Sequence, residues 1–159
     1  MAGLTLDLAN GALGGFRLGA SVQSLKERLG PPASWNDLRR SGHWLYPELG
    51  TIFESSRDII DGLCVITRKP ECSLFEKWRN LWQPWSGLIR FPDGFKTSSK
   101  DVRLASFLEH AGKPSKQEKE DEDILLQYSD SPKFRYVAFD VEFALQGDLI
   151  SLYLWSTSR

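Results

Sequence analysis

Two histidines, two cysteines and a short-spaced pair of acids are the residues through which this sequence could do chemistry. His43 precedes Trp44 at the start of a β-prone run and could serve as a base, but no serine or cysteine nucleophile elbow accompanies it. His110 falls in the last turn of a predicted helix, where a cationic side chain complements the carbonyl end. Asp140 and Glu142 are two positions apart in VAFDVEFA, which on a strand puts both carboxylates on one face, roughly 7 Å apart. Such a pair could bind Mg²⁺ in a nuclease-like site. No lysine follows at the short spacing that would complete it, and Tyr153 and Trp155 flank the acids instead. Cys64, inside the apolar run LCVI, reads as a small core residue, and Cys72, in KPECS, as a loop residue. A disulfide between them is geometrically possible but ill-suited to a reducing compartment. Neither histidine stands at metal-ligand spacing from a cysteine. NGALGG is glycine-rich but lacks the Lys-Ser/Thr of a phosphate loop, and reads as a flexible lead-in. These residues predict no catalytic constellation, no metal and no cofactor.

A chain of 159 residues fits one domain or two small, closely packed halves. With 41% hydrophobic residues, six Trp and nine Phe, it can bury a substantial core. A net charge of -1 gives no electrostatic basis for a nucleic-acid or membrane partner. The N-terminal residues lack a basic region followed by a sustained apolar stretch, and no run approaches the roughly 20 apolar residues of a membrane span. The expected location is the cytoplasm.

The elements that must position these side chains begin with a helix after Ser21, a good N-cap. Val22, Leu25 and Leu29 form one apolar stripe, and Gly30 with Pro31-Pro32 stops it. After a polar loop, HWLY (43–46), TIF (51–53) and LCVIT (63–67) read as short strands. A shift of 82 positions carries Val22, Leu25 and Leu29 onto Leu104, Phe107 and Ala111, Gly30-x-Pro32 onto Gly112-x-Pro114, and Trp44 and Tyr46 onto Leu126 and Tyr128. That shared offset predicts an internal duplication of about 80 residues. Near the C-terminus, alternation predicts a hairpin turning at Gln146-Gly147. It would pair Phe143 with Ile150, Val141 with Leu152 and Phe139 with Leu154 on one face, and Asp140 with Tyr153, Glu142 with Ser151 and Ala138 with Trp155 on the other. Leu74, Phe75, Trp78, Leu81, Trp82 and Trp85 follow a helical stripe that Pro84 should end, predicting a connector that packs tryptophans into the core. KQEKEDED (116–123) reads as a solvated charged loop.

The predicted fold is α+β: two tandem helix-plus-antiparallel-strand repeats forming one curved sheet with helices on one face. The first repeat spans 1–72, a helical connector 73–87 and the second repeat 88–159. On LGASVQSLKERLGPP…WLYPELGTIF…DGLCVI and SSKDVRLASFLEHAGKP…LLQY…GDLISLYLW, the chain resembles the tandem-repeat beta-lactamase inhibitor proteins and their single-repeat relatives, the small lipoproteins of outer-membrane assembly. The resemblance implies a curved antiparallel layer whose helices cover the convex side and whose aromatic-rich concave side grips a partner protein. It does not extend to a beta-lactamase target. The lipid-bearing cysteine of the lipoproteins is not found, and both cysteines lie in or just after the first repeat rather than stapling each one.

The predicted function is therefore a protein-binding module, not an enzyme, that masks a partner such as a bacterial toxin or enzyme domain in the manner of an immunity protein. The residues expected to face the partner are Trp44, Tyr46, Tyr128, Asp140, Glu142, Tyr153 and Trp155, since aromatics beside carboxylates make interface hot spots. Strand alternation requires some of these to be core. The rival readings are a homo-oligomeric assembly component, joined through a sheet edge, and a metal-dependent hydrolase using Asp140 and Glu142. The chain is expected to be a monomer or homodimer.

Overall fold

The structure, a computed structural model, describes residues 4–38, 41–68 and 80–157. Cys72, Leu74, Phe75 and Trp78, and with them the Cys64–Cys72 pairing and most of the connector, lie outside them. The described residues form an α+β fold of two sheets and two helices. No helix among them is long and apolar enough to cross a membrane.

Strands β1 (Leu6–Asp7), β2 (Ala12–Leu13) and β3 (Phe16–Arg17) open the chain, so part of the predicted flexible lead-in is paired backbone. Helix α1 (Val22–Leu29) follows, then β4 (Ser34–Leu38), β5 (Ser41–Tyr46), β6 (Thr51–Ser56) and β7 (Ile59–Ile66). Strands β8 (Leu88–Arg90) and β9 (Lys96–Ser98) precede α2 (Leu104–Ala111). The chain ends with β10 (Lys116–Glu120), β11 (Asp123–Tyr128), β12 (Val137–Ala144) and β13 (Leu149–Ser156). The larger sheet is antiparallel at every step, in the order β10-β11-β12-β13-β7-β6-β5-β4. The smaller runs β3-β2-β1-β8-β9, with β1 and β8 parallel.

One buried cluster holds the two layers together. The row Trp44, Phe53, Leu63, Leu154, Phe139 and Tyr128 crosses six paired strands and lies wholly within it. Leu25 of α1, Phe107 and Ala111 of α2, and Leu6, Leu13, Phe16 and Ile89 of the smaller sheet join the same cluster. Phe107 meets Tyr128, Phe139 and Phe143 edge-on at 5.5–6.1 Å, the geometry that aromatic quadrupoles favour.

Local chemistry sets each helix. Ser21 accepts from the Ser24 amide at 3.1 Å and caps α1. Gly30 and Gly112 stop the two helices at φ 82° and 84°, where a side chain is strained, and donate back to Lys26 O and Leu108 O. Tyr46 then donates to Gly30 O at 2.9 Å, and Tyr128 to Gly112 O at 2.8 Å. The residue before each helix also forms an isolated bridge, Ser21 to Ile59 at the start of β7 and Arg103 to Asp148 just before β13. The ladders β6–β7 and β12–β13 each break register beside a glutamate, at Glu54/Ser55 and Glu142/Phe143.

Three expectations are corrected. The hairpin register holds from Val137 to Glu142, but the bulge then sets Phe143 opposite Leu149 rather than Ile150. Lys116–Glu120 is an edge strand, not a loop, because main-chain pairing with β11 holds it without side-chain burial. Residues 82–87 are not helical. The Gln83 amide donates to Pro47 O and the Trp85 amide to Ile66 O, both at 2.8 Å, so neighbouring elements supply the carbonyls that a helix would. Gly50 lies against this segment at φ 62°, where an added Cβ would come within 2.4 Å of the Trp85 nitrogen. Trp82 and Trp85 are buried, as core packing predicts, while Leu81 is exposed.

Candidate functional site

The face of the larger sheet turned away from the helices carries the alternate residues of each strand. Near β5 and β6 it is covered, since Trp82 packs on Leu45 and Ile52 with Ile66 beside them. Toward β12 and β13 its side chains, Asp140, Glu142, Ser151, Tyr153 and Trp155, are half-buried. Register assembles them: Asp140 lies opposite Tyr153, Glu142 opposite Ser151 and Trp155 opposite Ala138. On the far side of β13, Tyr153 pairs with Cys64 and Trp155 with Gly62. The small residues on both sides of Trp155 leave the ring room over the sheet.

Four of the seven residues expected to face a partner therefore share this surface. Trp44, Tyr46 and Tyr128 do not, and the expectation is corrected for them. They are 5%, 1% and 1% exposed, because their strands turn these rings toward the helices. Each has structural work there: Trp44 Nε1 donates to Ser55 Oγ at 3.0 Å, and the two tyrosines hold the helix-ending glycines.

Two acids that sequence reasoning missed complete the site. Glu54 lies opposite His43 in the β5–β6 ladder and opposite Gly62 in the β6–β7 ladder. The Tyr153 hydroxyl donates to Glu54 Oε2, and His43 Nε2 stands 3.5 Å from Glu54 Oε1. Asp61 accepts from the Ser56 hydroxyl. The alternation Phe53-in, Glu54-out, together with a hairpin centred on Pro47–Leu49, was the available signal for the His43–Glu54 pair. The Tyr153 contact, across 99 residues, left none. His43, Glu54, Asp61, Tyr153 and Trp155 line an open depression of about 230 Å³. A wider one of about 650 Å³, with Asp130 and Arg135 in its wall, lies on the other side of Trp155.

Electrostatics divides the face. Burial pushes the Tyr153 hydroxyl well above its usual range, and its bond to Glu54 and the charge of that carboxylate add to the effect. It stays a neutral donor at any physiological pH. The Cys64 thiol is pushed up to about 12 by burial, then by Glu54 and Glu142, which keeps it protonated and a weak nucleophile. Glu142 is raised to about 7 by burial, then by its hydrogen bond to Asp123 and the charge of Asp123, with Arg68 opposing. Burial also raises Asp140, whose Oδ1 has no hydrogen-bond partner among the described residues.

This arrangement offers carboxylates and aromatic surface rather than a nucleophile. Glu142 is hydrogen-bonded to Asp123, and no three His, Cys, Asp or Glu among the described residues are placed to share a metal ion. His110 lies elsewhere, its Nδ1 2.8 Å from Asp93 Oδ2 and its ring stacked at 3.7 Å on Phe95, a clamp between α2 and the β8–β9 turn.

No protein-family model matches the sequence, and no curated protein matches it. Among solved structures, an extracellular protein containing an SCP domain from Bacillus anthracis strain Ames is similar over 88% of this chain and 44% of its own, at 6% identity and a TM-score of 0.45. The chain thus spans less than half the length of that protein, and a likeness this weak assigns no activity.

Proposed function

We propose that this protein is a binding module that masks the surface of a partner protein, in its most concrete form an immunity protein neutralising a bacterial toxin in the cytoplasm. The observation that carries the reading is the half-buried Tyr153–Trp155 pair, rings 5.6 Å apart, set among Glu54, Asp140 and Glu142 on the sheet face opposite the helices. Aromatic side chains bring large contact area at low rotamer cost, and flanking carboxylates select a basic counterpart. The duplication belongs to the same proposal. Two copies of a helix-plus-four-strand unit, 1–72 and 88–159 joined by 73–87, form one curved layer like that of the tandem-repeat inhibitors. The paired tyrosine–glycine bonds, the two N-terminal bridges and the two glutamate bulges support it.

Co-expression with the product of the neighbouring gene tests the masking role. Rescue of growth and co-purification are expected, with both lost in a Tyr153→Ala/Trp155→Ala variant that still folds. No complex at micromolar concentration, or a complex indifferent to this pair, rejects the role. Assembly through the β10 edge has less support, since that strand reads Lys-Gln-Glu-Lys-Glu, the kind of charged edge that resists strand addition.

A further inference from the structure

The depression between β5, β6, β7 and β13 has a composition that specifies its occupant. Two carboxylates reach it from adjacent strands, Glu54 from β6 and Asp61 from β7, while Tyr153 and Trp155 supply aromatic faces on β13. Among the described residues neither lysine nor arginine lines it, and the one basic side chain in its wall is His43, 3.5 Å from Glu54 Oε1. The two acids are held in place. Tyr153 donates to Glu54 Oε2 and Ser56 to Asp61 Oδ2, so each carboxylate is oriented by a neutral donor. These bonds leave lone pairs free, because a carboxylate has about four acceptor positions. Among the described residues the result is a small acidic concavity with an aromatic wall and a fixed acceptor geometry.

We infer that this depression is a subsite for one arginine side chain of the partner protein, a deepening that rests on the masking role proposed above. A guanidinium is planar and weakly hydrated. It can lie against Trp155 or Tyr153 while its forked N–H groups reach Glu54 and Asp61. A lysine ammonium satisfies the charge but cannot combine stacking with forked hydrogen bonding. A neutral side chain of the same shape forfeits the charge on which both carboxylates act. Trp155 also walls the wider depression on its other side, which gives the residues flanking that arginine somewhere to go.

The test needs no partner, so its outcome is independent of whether the masking role survives. The isolated full chain, labelled with ¹⁵N, is titrated with N-acetyl-arginine methylamide and, separately, with the lysine and citrulline analogues. One ion pair plus one stacked contact predicts a Kd of about 1 to 10 mM. Saturable shifts should centre on the amides of Gly42, Glu54 and Tyr153 and on the Trp155 indole. Citrulline should bind at least about tenfold more weakly, with lysine between. Glu54→Gln keeps an acceptor for Tyr153 and should weaken arginine binding about tenfold, as should Asp61→Asn, each with an otherwise native amide spectrum. Citrulline or lysine binding as tightly as arginine, shifts centred elsewhere, or affinity unchanged in both variants would overturn the assignment.

Discussion

Replacing Glu142 with glutamine should stabilise the protein at alkaline pH and do little at acidic pH. Glu142 lies on β12 between Leu125 and Ser151, with Asp123 hydrogen-bonded to it and Glu120 nearby. Its carboxyl is raised from the ordinary 4.5 to about 7, by burial first and Asp123 second. Between these values the native state holds a proton that the unfolded state releases, so stability falls as pH rises and the penalty is complete above about 7. That interval sets a ceiling of about 3.4 kcal/mol. Water screens a half-exposed carboxylate, which brings the expected penalty to roughly 1 kcal/mol, or about 2–4 °C in Tm for a chain of this length. Thermal unfolding followed by circular dichroism at pH 5 and 8.5 measures it. Wild type should lose that much relative to Glu142→Gln between the two conditions, because other titrations cancel in the comparison. Asp123→Asn should recover a smaller share of the gain, because the burial of Glu142 remains, and the double variant should gain less than the sum, since both relieve the same penalty. Parallel wild-type and variant curves across this range, or a gap that widens toward acid, refute the argument.

Tyr46→Phe and Tyr128→Phe should each cost about 1 kcal/mol by stranding the Gly30 or Gly112 carbonyl, and their effects should add in urea titrations because the two sites share no partner. In a Cys72→Ser background, native Cys64 should react with a disulfide reagent at pH 8 at least about tenfold more slowly than the unfolded chain, since its thiol, pushed up to about 12, stays protonated; equal rates would remove the electrostatic account. Light scattering should report a concentration-independent monomer, and a concentration-dependent dimer would favour assembly through an edge.

What the sequence showed and what it hid separate along physical lines. Helix α1 was legible because its cap, stripe and stop are all local. The β12–β13 register was legible because apolar side chains strictly alternate, so a slip of one residue would reverse the burial of each strand. The bulge after Glu142 was not, since it is a backbone event that leaves no periodicity, and it also leaves Leu145 exposed. The phase of β5 was hidden for the opposite reason. Trp44, Leu45 and Tyr46 are all large and all buried, on two different faces, so alternation could not say which face the aromatics take. Edge strand β10 escaped notice because main-chain pairing alone holds it. The site itself was half visible: Asp140, Glu142, Tyr153 and Trp155 came from one hairpin, whereas Glu54 joins them only through the pairing of β7 with β13.

On the two-unit reading, corresponding positions say where function should concentrate. Glu54 and Glu142 correspond, each just before a bulge, and Cys64 corresponds to Tyr153, its own cross-strand partner. The midpoint between the units therefore falls on the Cys64–Tyr153 pair, with a glutamate on either side. Features present in both units, the tyrosine–glycine bonds and the bulges, stabilise each unit alike and carry no partner information. The glutamates differ because their neighbours differ. Glu54 has His43 beside it and meets the Tyr153 hydroxyl, while at the equivalent places Glu142 has Leu125 and a thiol, and turns to Asp123 instead. One carboxylate thus accepts from the Tyr153 hydroxyl at the edge of an aromatic depression, and the other, raised by burial, lies against a second acid. On the proposed masking role and the two-unit reading, a partner that reads charge would meet an asymmetric surface on a symmetric frame and should bind through the Glu54 side.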